Sequence, residues 1–135
     1  MKRKPLLQVL FLFFSIAFAV RGFAQNKAPE YAPVRVALAG ISHDHVGWIL
    51  SRKKNDIILV GIYEPNKELA ERDAKRYNID HSIFYDDLGK MLDATKPEVT
   101  LAFGSVFAHL AVVQACAPRR INVMVEKPLA ASLKQ

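Results

Sequence analysis

The stretch from Val34 to Glu64 constrains the fold more than any other part of the chain, because it reads as strand, tight turn, helix and strand with an acid at the end. Val34, Val36, Ala37, Leu38 and Ala39 form a short apolar run rich in β formers. Such a run suits a strand buried on both faces of a parallel sheet. Gly40 ends it, and Val46, Ile49 and Leu50 then recur at helical spacing. Ile57 to Ile62 is a second apolar run, with Glu64 at its carboxyl end.

This is the layout of a dinucleotide-binding βαβ unit. A glycine where the strand stops permits a turn that a Cβ would obstruct, and the helix start then offers N–H groups to a pyrophosphate. An acid about 20 residues on accepts hydrogen bonds from the adenosine ribose; Glu64 lies 24 positions after Gly40. A carboxylate there disfavours a 2′-phosphate, so NAD is expected over NADP. Against the pattern G-x-G-x-x-G the chain offers Gly40, Ser42 and His45. Ser42 is small enough for backbone to approach a phosphate. His45 replaces the glycine that allows close helix–strand packing.

The rest of the chain repeats the alternation. Asn66 is a natural N-cap for a helix whose apolar side carries Leu69, Ala70, Ala74 and Tyr77 and which ends at Asn78. Ser82 to Tyr85 reads as a third strand, Asp86 as the cap of a brief helix through Leu88, Met91 and Leu92, and Val99 to Phe103 as a fourth strand. Gly104-Ser105 is a turn, Leu110 to Ala117 a helix, and Ile121 to Val125 a fifth strand ending in Glu126-Lys127-Pro128. Alternation with short connections predicts an α/β fold, a doubly wound parallel sheet of the Rossmann NAD(P)-binding type. Ligands of such sheets bind beyond the carboxyl ends of the strands, where Gly40–His45, Glu64, Gly104–Ser105 and Glu126–Pro128 all fall.

Residues 1–24 read as a signal peptide: Lys2, Arg3 and Lys4, an apolar stretch from Leu6 to Val20, then Gly22 and Ala24 before a cleavage point at Gln25. This stretch of 15 residues, apolar except for Gln8 and Ser15, falls short of a membrane span. The expectation is a Sec-type export signal, a periplasmic or extracellular product, and no membrane contact after cleavage. Residues 25–33 form an extended lead-in, and 34–135 the dinucleotide-binding domain. Cleavage lowers Lys plus Arg from 19 to 15 against 13 acids, a net charge of +2. With no basic cluster interleaved with aromatics, nucleic-acid binding is excluded. Cys116, the sole cysteine, lies in an apolar helical pattern and reads as a buried small hydrophobe.

His43-Asp44-His45 invites a metal reading, but His81 and His109 complete no ligand set along the sequence. A phosphate turn or helix cap is preferred, with no metal expected. Lys127 follows a buried strand and is suited to hold a substrate hydroxyl or take its proton; an ordinary surface lysine is the alternative. His109 starts a helix, facing the cofactor or making a structural bond. Ser105 has no adjacent base, which argues against a serine hydrolase.

Glu126-Lys127-Pro128-Leu129-Ala130 resembles the Gfo/Idh/MocA oxidoreductase family, and the resemblance runs from Val34 to about Ala131. His109, 17 positions before Glu126, and Tyr85-Asp86-Asp87-Leu88 fit the family arrangement. The resemblance implies an N-terminal Rossmann domain followed by an α/β substrate domain. It puts Gly40, Ser42, His43 and His45 on the pyrophosphate turn, Glu64 on the adenosine ribose, and Gly104, Ser105 and His109 along the dinucleotide. Glu126 and Pro128 then shape the nicotinamide end, with Lys127 catalytic and in contact with nicotinamide ribose and substrate. Ser42 and His45 depart from the glycine pattern, Gly104-Ser105-Val106 stands where Thr-Pro-Asn is common, and Arg120 replaces a usual helix-ending glycine.

The expected function is the nucleotide-binding domain of an exported NAD(P)-dependent oxidoreductase acting on a sugar, polyol or related carbohydrate. The chain is expected to be truncated before its substrate domain and inactive alone, the full-length protein a homo-oligomer. The alternatives are a non-catalytic Rossmann binding module and an NAD-dependent glycoside-cleaving relative. A metal-dependent hydrolase built on His43 and His45 ranks last.

Overall fold

The computed structural model describes residues 31–134. The expected signal peptide and residues 25–30 of the lead-in lie outside them. Five strands pair in one parallel sheet: β1 (Val34–Ala39), β2 (Ile57–Tyr63), β3 (Phe84–Tyr85), β4 (Val99–Ala102) and β5 (Asn122–Val125), in the order β3-β2-β1-β4-β5. The chain winds outward from β1 to one edge, returns, and winds to the other. The order therefore reverses between β1 and β4, which opens a crevice at their carboxyl ends.

Among the described residues four α-helices cover the sheet: α1 (Gly47–Leu50), α2 (Lys67–Tyr77), α3 (Leu88–Thr95) and α4 (His109–Cys116). Strand β1 shows why both faces must be covered. Its side chains alternate, and from Val36 on both sets are apolar. Ala37 and Ala39 enter a core with Met91 and Leu92 of α3 and Val112 and Cys116 of α4. Val36 and Leu38 enter the opposite core with Ile41, Val46, Ile62, Leu101 and Phe103, against which Ile49, Leu50 and Leu69 pack. The doubly wound architecture is thus present, and Cys116 is the buried hydrophobe its pattern predicts. Burial pushes its thiol pKa up.

Helix α2 begins and ends where its polar residues say. Asn66 Oδ1 accepts from Leu69 N–H, and Asn78 closes the helix in the left-handed conformation at φ 53°. Among the described residues no helix is long and apolar enough to cross a membrane.

Three local expectations are corrected. The helix after the first turn is one 3-10 turn, Asp44–Val46, followed by four residues of α1. Ser51 Oγ bonds back to the Gly47 carbonyl and competes with the helix there. So short an element has little dipole to offer a phosphate. The third strand is only Phe84–Tyr85, because Asp80 Oδ1 accepts from Ser82 N–H and winds His81–Ile83 into a 3-10 turn. Helix α3 is capped by Asp87, not Asp86: Asp87 Oδ1 accepts from Lys90 N–H at 2.7 Å. Asp87→Ala should therefore cost about 1 kcal/mol of stability in urea unfolding, as loss of an N-cap does, while Asp86→Ala stays within about 0.5 kcal/mol.

Candidate cofactor site

Gly40 leaves β1 at φ 81°, a conformation side chains rarely adopt. A Cβ there would lie 2.5 Å from the Gly104 Cα and 2.7 Å from its nitrogen. The two turns at the reversal point thus abut backbone to backbone. His43 N–H donates to the Phe103 carbonyl at 2.8 Å and fastens the first turn to the end of β4. His43 also caps the 3-10 turn, its Nδ1 accepting from His45 N–H at 3.3 Å. The N–H groups of Ser42 and Asp44 take no partner among the described residues and are available to a ligand.

Glu64 stands at the end of β2 and is 9 % exposed. Its Oε2 accepts from Ile41 N–H at 3.1 Å and its Oε1 from Asn66 N–H at 3.0 Å. The carboxylate therefore braces the first turn from the β2 side and keeps lone pairs for further donors. Beyond it opens a cleft of about 380 Å³, whose lining includes Glu64, Lys67, His81, Tyr85 and Asp86. Apart from Glu64, these residues carry no motif. Lys67 follows the end of β2, His81 precedes β3, and Tyr85 and Asp86 stand at the end of β3.

At the other side of the crevice, His45 Nδ1 lies 2.8 Å from Glu126 Oε2. The His45 ring stacks on Trp48, with centroids 4.1 Å apart and planes 13° from parallel. The hydrogen bond with His45, helped by the Lys127 N–H and by the charges of His45 and His43, outweighs desolvation and holds the Glu126 carboxyl below the usual glutamate range. Lys127 projects outward with its side chain 79 % exposed and Nζ 4.0 Å from Glu126 Oε1. The peptide bond to Pro128 is cis. His109 is buried, and its Nδ1 donates to the Leu129 carbonyl at 3.2 Å, tying the start of α4 to the segment after Glu-Lys-Pro. Ser105 Oγ accepts from Phe107 N–H and starts the turn into α4.

The structure thus brings Gly40, His43, His45, Glu64, Gly104 and Glu126 to one rim through direct links, with Ser42 carried on the first turn between them and Lys127 outermost. Sequence reasoning missed the contact of His45 with Glu126, which spans 81 residues, and the stacking of Trp48. No local pattern signals either.

A scan of protein-family models matches residues 34–135 to the Gfo/Idh/MocA model, described as an oxidoreductase family with an NAD-binding Rossmann fold. The chain belongs to the Gfo/Idh/MocA oxidoreductases. The matched residues are the family's NAD-binding Rossmann domain. Among curated protein sequences none matches the chain. Among solved structures, an oxidoreductase from Desulfitobacterium hafniense, described as NADPH-dependent, is 27 % identical with a TM-score of 0.65, over 77 % of this chain and 30 % of that one. The myo-inositol 2-dehydrogenase of Lactobacillus plantarum is 18 % identical with a TM-score of 0.64, over 76 % and 30 %. An Agrobacterium radiobacter oxidoreductase in complex with NAD+, L-tartaric acid and magnesium is 16 % identical with a TM-score of 0.64, over 75 % and 29 %. The latter two, below 25 % identity, share the fold. The chain spans about 30 % of the length of the structures it matches.

The residues of this Gfo/Idh/MocA domain fit a dinucleotide. The space at Gly40 is one a Cβ would fill, two turn N–H groups are unused, and the Glu64 carboxylate stands at the end of β2 beside the turn. His45 does not crowd the turn as the missing glycine suggested, because its ring leaves toward Glu126 and Trp48.

Proposed function

We propose that this chain is the cofactor domain of an exported, NAD-dependent oxidoreductase that acts on a sugar, polyol or related carbohydrate. The observation that carries the reading is the convergence of Gly40, Glu64, Gly104 and Glu126 at the switch point, each linked to the next strand end by a bond or a backbone contact. The carbohydrate class is supported by the dehydrogenases of similar fold, and export by the tripartite pattern of residues 1–24. The whole protein is proposed to be a homo-oligomer.

In this reading the Ser42 and Asp44 N–H groups hold the pyrophosphate, with His43 and His45 alongside. Glu64 accepts from the adenosine ribose and disfavours a 2′-phosphate. Gly104 and Ser105 keep the middle of the dinucleotide path open, and His109 fixes the chain after the tripeptide through Leu129. Glu126 and Pro128 shape the far end. Bound nicotinamide supplies the hydride acceptor or donor. Lys127, at the outer end of the rim, hydrogen-bonds the substrate hydroxyl and, as the free amine, takes its proton.

Trp48 gives the test. It is the sole tryptophan, 70 % exposed and stacked on His45 at the first turn. Titrating the folded chain with NAD should change its fluorescence saturably, with NADP binding more weakly. A folded chain that binds neither nucleotide would overturn the reading in favour of a non-catalytic module.

A further inference from the structure

The His45–Glu126 contact brings a third group into play. Ligand atoms of His43, His45 and Glu126 all lie within 4.8 Å of one another, and all three residues are half-buried. We propose that these residues form a site for a divalent transition metal of the zinc class, bridging the turn after β1 and the end of β5. Two imidazoles and one carboxylate are a recurring three-ligand set for such ions, with the remaining positions open to water or a substrate oxygen.

Several features prepare the set. The 3-10 turn holds His43 and His45 two residues apart on one bend. Trp48 stacks on the His45 ring and limits its rotation. Lys127 N–H donates to Glu126 Oε1 at 3.1 Å and leaves Oε2 toward His45, the kind of outer bond that orients a ligating carboxylate. The ion takes the place of the hydrogen between His45 Nδ1 and Glu126 Oε2, and the neutral ring that ligates through Nδ1 carries its one proton on Nε2. Metal–ligand bonds of about 2.1 Å at a tetrahedral angle put two ligands roughly 3.4 Å apart. The 2.8 Å pair therefore opens by about half an ångström on binding. The cap bond to His43 Nδ1, at 3.3 Å, is long and gives way at little cost. Competing soft ligands are few: Cys116 is fully buried, His109 is buried, and His81 lies in the cleft beside Glu64. The sequence alone did not assemble the site because its third ligand lies 81 residues away.

The test is a cobalt(II) titration of the full chain, stripped with chelator and free of nucleotide, so that its outcome is separate from that of the cofactor reading. The expected result is one ion per chain, a visible ligand-field spectrum and quenching of Trp48. Glu126→Gln and His43→Asn should each weaken binding more than about tenfold, and His81→Asn should leave it unchanged. A wild-type chain that binds no stoichiometric cobalt would overturn the proposal. So would a His81→Asn variant that binds as poorly as His43→Asn, or a Glu126→Gln variant that binds as well as wild type.

Discussion

Gly40→Ala is expected to lower the melting temperature of the domain by more than about 10 °C, and Gly104→Ala by far less. The two glycines face each other across the strand reversal, yet only one needs to be a glycine. At Gly40 the backbone is left-handed, which costs a side-chain residue about 1–3 kcal/mol. The new Cβ would also meet backbone at 2.5 Å, and backbone cannot swing aside as a flexible side chain can. Relief requires parting β1 from β4, which strains the bond from His43 N–H to the Phe103 carbonyl and adds overpacking of about 1–3 kcal/mol. At Gly104 the added Cβ meets the Ala39 carbonyl oxygen at 3.4 Å and the Gly40 Cα at 3.5 Å, which is ordinary contact. Thermal unfolding followed by circular dichroism checks the pair. Equal melting temperatures would mean that the strand ends do not abut as described.

The second large effect is expected at Glu64, and it has two separable parts. Glu64→Ala leaves the N–H of Ile41, a residue 1 % exposed, without its acceptor. An orphaned buried donor costs about 1–3 kcal/mol of stability. The Asn66 N–H loses its acceptor too, but Asn66 is exposed and water replaces the bond. The same substitution removes the charged acceptor proposed for the ribose. Hydrogen bonds to a charged group contribute about 1.5–3 kcal/mol, so NAD affinity should fall roughly ten- to hundredfold. Glu64→Gln separates the parts. Its amide oxygen can still accept from Ile41, so stability falls less. Without the charge the preference for NAD over NADP should narrow, with Lys67 and His81 of the same cleft left to face a 2′-phosphate. An unchanged NAD-to-NADP affinity ratio in that variant would remove Glu64 from the ribose.

Much of this arrangement was legible in the chain itself. The runs around Leu38 and Ile62 read as buried parallel strands, and their alternation with helices pointed to a doubly wound sheet, though not to the order of its strands. Asn66 and Asn78 marked a helix by chemistry that acts within a few residues. Glu64 was found because strand length and turn length fix how far along the chain an acid reaches the same rim. Asp86 and Asp87 are adjacent and both good caps, so sequence could not choose between them; the start of α3 chose Asp87. The one-turn length of α1 was hidden because Ile49 and Leu50 keep helical spacing whether or not the helix continues past Ser51. β2 shifts its register against β1 between Val36 and Ala37, a two-against-one pairing that no periodicity announces. Arg120 was a departure from the family's glycine, and the structure holds it at φ 57°, the conformation the glycine would have supplied. The contact of His45 with Glu126 is the largest omission, since it depends on the sheet order placing β5 beyond β4, and not on any spacing.

The most direct measurement is an amide spectrum of the isotope-labelled chain, recorded with and without NAD. The residues proposed to meet the cofactor all lie past the carboxyl ends of the strands. Shifted amides should therefore cluster at Ile41 to His45, Glu64, Gly104 to Ser105 and Glu126 to Lys127. Asp93, Lys96, Arg119 and Arg120, which line a separate pocket, should stay still. Shifts confined to that second pocket, or a folded chain whose spectrum ignores NAD, would contradict the account.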